Sequence, residues 1–348
     1  MTTTSRKPHI LIIYTGGTIG MIENPDTRSL QPFDFTHLID NVPKIKKLDY
    51  VIDNIQFNPP IDSSDMSPQH WVDIARHIDN NYDRFDGFVV LHGTDTMSYS
   101  ASALSFMLEN LSKPVIFTGS QIPMGILRTD GRENLVTAIE IASSTDDKGR
   151  ALVPEVALYF QNCLFRANRT SKHSAEELSA FTSRNYPPLA EVGVNIKYNE
   201  SAIYKLAPYF EPLHISDSLD ENVIVIKLFP GLSPKSFRSM LSIEGVKGVV
   251  LETYGTGNAP TSAWFLDALR EVIDRGVAVV NITQCRGGAV AMHLYETGLA
   301  LQEAGVVSGH DMTIEAAVTK LMYVLGKNLP LSETLNLMRR PLRGEFTL

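Results

Sequence analysis

The sequence predicts an α/β protein of two domains, the first larger than the second. Short β-branched runs alternate with longer helical patterns in both halves of the chain. The strand candidates are continuously apolar rather than alternating, as in a parallel sheet covered on both faces. One stretch, 185–219, breaks this rhythm with Pro187, Pro188, Pro208 and Pro212 and only short extended pieces. At 348 residues the chain is longer than one core usually covers. The expected division is residues 1–190, a linker over 191–219, and residues 220–348.

Taken in order, residues 9–14 read as the first strand and 50–57 as the second. Ser67 and Pro68 open a helix, the serine as N-cap and the proline at the first helical position, where no N–H is needed. Trp71, Ile74, Ala75 and Ile78 form its apolar stripe. Residues 88–91 are a third strand, followed by a helix carrying Ala101, Leu104, Phe106, Met107 and Leu108. Residues 114–118 are a fourth strand. A glycine-rich loop over 119–131 then leads to a helix around 134–142, and 155–160 is a fifth strand. In the second half, 223–228, 248–251 and 277–280 read as strands. Residues 234–241 and 261–273 are the helices between them, and 315–325 and 332–338 are terminal helices.

The composition, 43% hydrophobic and 20% charged, is that of a soluble globular protein. The formal net charge is −8, and the longest basic cluster, Lys44-Ile45-Lys46-Lys47, reads as a solvated loop or helix end, so no nucleic-acid partner is expected. Cys163 and Cys285 lie one in each half, which argues against a disulfide framework or a metal knuckle. The apolar stretch at 10–13 is too short for a signal-peptide core. No window approaches the roughly 18 apolar residues of a membrane span. A reduced, cytoplasmic location fits.

The chemistry concentrates in two threonines flanked by glycine. Tyr14-Thr15-Gly16-Gly17-Thr18-Ile19-Gly20 follows the first strand, and His92-Gly93-Thr94-Asp95-Thr96 follows the third. Each places a hydroxyl at the carboxyl end of a buried strand, where open α/β sheets bind ligands. The first stretch has the wrong glycine spacing for a dinucleotide fingerprint. It is either a tight turn without chemistry or a place where missing side chains let Thr18 and a small ligand approach the backbone. Asp95 begins a helix, as a cap, as part of an anion-binding N-terminus, or as both. Asp62-Ser63-Ser64-Asp65 ends the second strand, either as a plain turn or as a clamp for an amino acid's ammonium and carboxylate. Lys172, in Asn168-Arg169-Thr170-Ser171-Lys172, is a solvated charge unless it reaches Thr94 and Asp95, where a buried lysine could serve a hydroxyl as base. No serine elbow, zinc-binding helix motif or Walker loop is present, and His92 has no evident acid partner.

Together with Gly119-Ser120-Gln121-Ile122-Pro123, Tyr254-Gly255-Thr256-Gly257-Asn258-Ala259-Pro260 and Asn281-Ile282-Thr283-Gln284-Cys285, these motifs resemble the bacterial-type L-asparaginase family, its cytoplasmic type I branch most of all. The resemblance runs from about residue 9 to about 345. It implies a larger flavodoxin-like N-terminal domain, a smaller Rossmann-like C-terminal domain, and a homodimer or homotetramer. It further implies hydrolysis of L-asparagine to L-aspartate and ammonia with no metal and no cofactor. By resemblance Thr18 is the nucleophile on a mobile loop, and Thr94, Asp95 and Lys172 form a second, rigid triad. Asp62, Ser63 and Ser64 would contact the substrate's α-amino and α-carboxyl groups, alongside Thr94 and Asp95.

Two departures stand out. Family members often carry a tyrosine on the loop after the first threonine, whereas residues 19–49 hold none and Leu30 falls near its place. Some type I members bind asparagine at an allosteric site through an arginine. Here Thr283, Gln284 and Cys285 are kept but Glu252 stands where that arginine would be, so asparagine activation is expected to be weakened or lost. Two other readings compete. The amide-hydrolysing subunit of a tRNA-dependent amidotransferase usually carries an extra N-terminal domain, for which a first strand at residue 9 leaves no room. A non-catalytic amino-acid sensor would be expected to lack the threonine pair.

Overall fold

The computed structural model describes residues 6–23, 30–32, 49–204 and 211–348. The chain forms two compact units, Met1–Ile215 and Ser216–Leu348. In the first, β1 (His9–Gly16), β2 (Val51–Ile61), β3 (Gly87–Leu91), β4 (Val115–Thr118) and β5 (Val156–Phe160) are parallel and lie in the order β2-β1-β3-β4-β5. This is the flavodoxin-like order, with its switch point between β1 and β3. Every residue of β3, β4 and β5 is buried, as their unbroken apolar runs require. Helix α1 (Pro68–Asn81) starts at the expected Ser67–Pro68 step, where Ser67 and His70 form a capping box. Helix α2 (Met97–Met107) packs on β4 and β5, and α3 (Gly131–Ser143) packs on β1, β3 and β4. Tyr14, Val89, Leu91, Ile116, Leu135 and Ile139 lie at the centre of the core, all fully buried.

The linker expected over 191–219 needs correction. After β5 the chain turns back through antiparallel β6 (Cys163–Arg166). The same sheet then continues into β7 (Ala190–Val192) and β8 (Ile196–Tyr198). Glu191 pairs with both Cys163 and Lys197, so the start of the expected linker belongs to the first unit's sheet, and that unit runs to Ile215. Three-residue strands behind Pro187 and Pro188 show no period of their own; pairing with β6 orders them. Strand β6 was missed for a related reason. Its hairpin turns at Gln161 (φ 56°), not at the Asn-Gly or Asp-Gly step that marks such turns.

The smaller unit is Rossmann-like. Its strands β9 (Val223–Lys227), β10 (Gly248–Thr253), β11 (Ala278–Thr283) and β12 (Val307–Ser308) are parallel in that order. Helices α4 (Pro234–Leu241), α5 (Ala263–Asp274), α6 (Glu296–Glu303), α7 (Ile314–Gly326) and α8 (Leu331–Met338) complete it. Phe237 of α4 stacks on Phe265 of α5 at 4.6 Å over a core that includes Val249, Leu251 and Val279. Helix α6 and strand β12 were not expected; Thr297 and Gly298 weaken the helical signal of the former.

Candidate active site

Strands β1 and β3 are neighbours with Tyr14 opposite Leu91, so the loops after them leave the same sheet edge. Their contact is bare backbone. A Cβ on Gly17 (φ 88°) would lie 2.4 Å from the Cα and N of Gly93, and one on Gly93 would lie 2.5 Å from Ser63 Oγ. Glycine at these two positions lets the loops of Thr18, Ser63 and Thr94 meet. Thr96 Oγ1 ties two of them by donating to Ser63 O at 2.6 Å. Beneath the Thr18–Gly20 turn, Tyr14 donates its phenol proton to Gly20 O at 3.2 Å. Burial pushes the phenol pKa up to about 12, so it stays a neutral donor.

Lys172 reaches both partners expected for it. Its Nζ donates to Thr94 Oγ1 at 2.9 Å and to Asp95 Oδ1 at 2.7 Å. Helix α2 begins at Met97 with Thr96 as its N-cap residue, so Asp95 lies before the helix and not at its start, and its carboxylate turns to the lysine. Thr94, buried, donates its hydroxyl hydrogen bond to Gln121 Oε1 at 3.0 Å. The motif that contains Gln121 assigns it no role in the sequence. Its Nε2 donates to Glu177 O at 3.2 Å and Ala175 O at 3.4 Å, within the loop that Lys172 opens. Asp130 holds the N–H groups of Gln121 and Ile122 at 3.0 Å each. One amide therefore links the Thr94 hydroxyl to the Lys172 loop.

Around this pair, Ser63 is buried, Thr18 is half-buried, and Asp62 and Ser64 are exposed. Asp62 Oδ1 accepts from Ser64 N at 2.9 Å, which closes the turn. Leu30 is described through its backbone alone, as Leu30–Pro32 pairs with Met21–Glu23. Its side chain and the basic run from Lys44 to Lys47 lie outside the described residues.

His92 supports this edge from within. It is fully buried, its Nδ1 donates to Gly93 O at 2.7 Å, and its Nε2 meets no hydrogen-bond partner among the described residues. Burial lowers its pKa from 6.5 to about 4, against a smaller opposing effect of the Gly93 carbonyl. Between those values the unfolded chain binds the proton and the native protein does not. Stability is therefore lost as pH falls through that window, by about 3 kcal/mol in all. In urea titrations from about pH 4 to about pH 7, His92→Gln is expected to flatten this acid limb; an unchanged limb would contradict it.

In the second unit, Glu252 is a half-buried residue of β10 paired with Ile282. Thr283 Oγ1 donates to Gly255 O at 2.5 Å and accepts from Cys285 N at 3.0 Å. Gln284 Nε2 donates to Leu228 O at 2.6 Å and to Glu252 O at 2.9 Å. These groups are spent on tying strand ends together. Among the described residues no cluster of His, Cys, Asp or Glu could hold a metal ion, and no helix is long and apolar enough to cross a membrane.

The model of the asparaginase N-terminal domain matches residues 9–204, and that of the glutaminase/asparaginase C-terminal domain matches residues 222–338. The chain belongs to the asparaginase family. The chain is 44% identical to L-asparaginase 1 of Escherichia coli, over 98% of this chain and 99% of that one. The crystal structure of L-asparaginase I from Vibrio cholerae superimposes with a TM-score of 0.89 at 42% identity, covering 99% of this chain and 100% of that one. A glutamyl-tRNA(Gln) amidotransferase subunit of Pyrococcus abyssi is 34% identical, over 98% of this chain and 77% of that protein.

Proposed function

We propose that this protein hydrolyses L-asparagine to L-aspartate and ammonia, with Thr18 as nucleophile. The carrying observation is the position of Lys172 Nζ, within hydrogen-bond reach of both Thr94 and Asp95 at the edge where Gly17 rests on Gly93. The Thr18 hydroxyl adds to the side-chain amide carbon, its proton passes to the departing nitrogen, and ammonia leaves an aspartyl ester. Water, deprotonated through Thr94 and Lys172, then cleaves that ester and regenerates Thr18. Backbone N–H groups at the glycine-lined edge hold the oxyanion of each step. Asp62, Ser63, Ser64 and Asp95 receive the amino-acid end of the substrate. No metal or cofactor enters this chemistry.

Lys172 donates to two acceptors at once, which is how an ammonium behaves. It must lose a proton before it can take one from Thr94. Lys172→Met, which keeps the length of the side chain and removes both hydrogen bonds, should lower kcat for asparagine far more than it changes KM; an unchanged kcat rules out Lys172 as base. The primary assay is steady-state ammonia release from asparagine and glutamine in parallel, since one methylene is worth roughly 1–3 kcal/mol to a pocket. Saturable release from asparagine is expected, and release from neither amide would overturn the assignment.

The amidotransferase reading is favoured by the likeness to the Pyrococcus abyssi protein, but at 34% identity against 44% for the asparaginase relative. Stable co-purification with a partner protein and tRNA would reverse the preference. We further propose a cytoplasmic homodimer or homotetramer. With Glu252 beside Thr283, Gln284 and Cys285, asparagine activation is weak or absent, and the rate curve for asparagine is hyperbolic.

A further inference from the structure

Helix α2 carries Ser98, Ser100, Ser102 and Ser105, all buried. Alanine is close in size, favours helices more and brings no hydroxyl to desolvate, so buried serines there need a reason. Ser100 has one, since it accepts from Trp71 Nε1 at 2.8 Å. Ser98, Ser102 and Ser105 follow at i, i+4 and i+7 and share one helix face. The turn Ala167–Arg169 packs against α2. Ser102 Oγ donates to Ala167 O at 3.4 Å, Asn168 Nδ2 donates to Ser105 Oγ at 3.1 Å, and Ser105 Oγ donates to Ser102 O at 2.6 Å. Asn168 is fully buried.

The two elements joined by this polar seam carry the two halves of the candidate site. Thr94 and Asp95 lie just before α2, and Lys172 lies just after the turn. We infer that the seam of Ser102, Ser105 and Asn168 sets the Lys172–Thr94 hydrogen bond, which makes these three positioning residues for amide hydrolysis. An apolar seam would bind the turn as tightly but leave it free to slide; directional hydrogen bonds fix where it stops. On the other side the turn is held by the buried Arg166–Glu155 pair at 2.7 Å and by Thr170 Oγ1 donating to Arg166 O at 2.7 Å. Beyond the turn, Lys172 pairs with Phe181 in a short antiparallel ladder and Arg169 donates to Asn185 O at 2.8 Å; the seam adds the tie between this turn and the helix that follows Thr94 and Asp95.

The inference rests on the proposed roles of Thr94 and Lys172, so its test reads geometry and activity separately. Ser105→Ala removes the acceptor of Asn168 with little change in volume. Ser98→Ala, on the same face, removes a hydroxyl that has no partner among the described residues and serves as the control. In crystal structures, Lys172 Nζ is expected to move out of hydrogen-bond reach of Thr94 Oγ1 in Ser105→Ala and to stay in Ser98→Ala. With asparagine, Ser105→Ala should lower kcat by about ten- to a hundredfold with KM within about twofold, and Ser98→Ala should leave both unchanged. A Lys172 that keeps its place in Ser105→Ala, or equal losses of melting temperature in the two variants with kcat unchanged, would overturn the inference. A parent protein that releases no ammonia would instead sink the functional assignment, while the crystallographic comparison would still decide the seam.

Discussion

Thr94→Ala is expected to cut ammonia release from asparagine by about a thousandfold or more, with a melting temperature near that of the parent. The Thr94 hydroxyl accepts from Lys172 and donates to Gln121, so its loss breaks the path by which a proton could leave water. Lys172 keeps Asp95 as a partner at 2.7 Å, so the site does not lose its charge balance and the fold has no reason to fail. Thr18→Ala should be at least as damaging because it removes the oxygen proposed to attack the amide. Groups that act as one unit do not add, so the double replacement should be no slower than the worse single one. Near-normal turnover in either purified variant would remove that threonine from the reaction.

The largest stability loss is expected far from this chemistry, at Lys320. This residue of α7 is fully buried, and its Nζ lies 2.6 Å from Glu345 Oε1, also fully buried. The ammonium further donates to Met338 O at 3.1 Å and Arg340 O at 2.6 Å. The carboxylate accepts from Leu342 N and Arg343 N, at 3.0 Å and 2.8 Å. Burial draws the Lys320 pKa below its usual range and Glu345 only partly restores it, as desolvation outrunning a single ion pair would do. Lys320→Met leaves the carboxylate buried without its counter-charge, and about 3–5 kcal/mol should be lost. Urea titration would show this as a lower midpoint. The double variant Lys320→Met, Glu345→Leu should recover part of it, because no charge is then left uncompensated. An unchanged midpoint in the single variant would contradict this.

The parts of the fold legible in the sequence are those where local pattern and burial agree. Phe88 to Leu91 is unbroken apolar chain because both its faces are covered, and Pro68 and Pro234 stand where a first helical turn has no N–H to lose. Strands β6, β7 and β8 were not legible. Their runs are too short to show a period, their hairpins turn without an Asn-Gly or Asp-Gly step, and the β6–β7 pairing joins residues some way apart along the chain. The candidate site divides in the same way. Glycine next to threonine after a strand is a local signal and pointed to both loops. Gln121 carries none, since its partners are Thr94 on one side and the carbonyls of Ala175 and Glu177 on the other. Asp95 was legible as a carboxylate near a helix start; its pairing with Lys172 spans far more chain than a cap does, so residue pattern left it open and only the family resemblance pointed to it.

The central claim is that two hydroxyls from separate βα loops serve one amide. Rapid acid quench of the enzyme with asparagine, followed by peptide mapping by mass spectrometry, tests it most directly. An aspartyl ester on Thr18 is predicted, absent in Thr18→Ala and persisting longer in Thr94→Ala, where water is activated poorly. An ester on a residue outside both loops, or full turnover by Thr18→Ala with no ester on either threonine, would contradict the account.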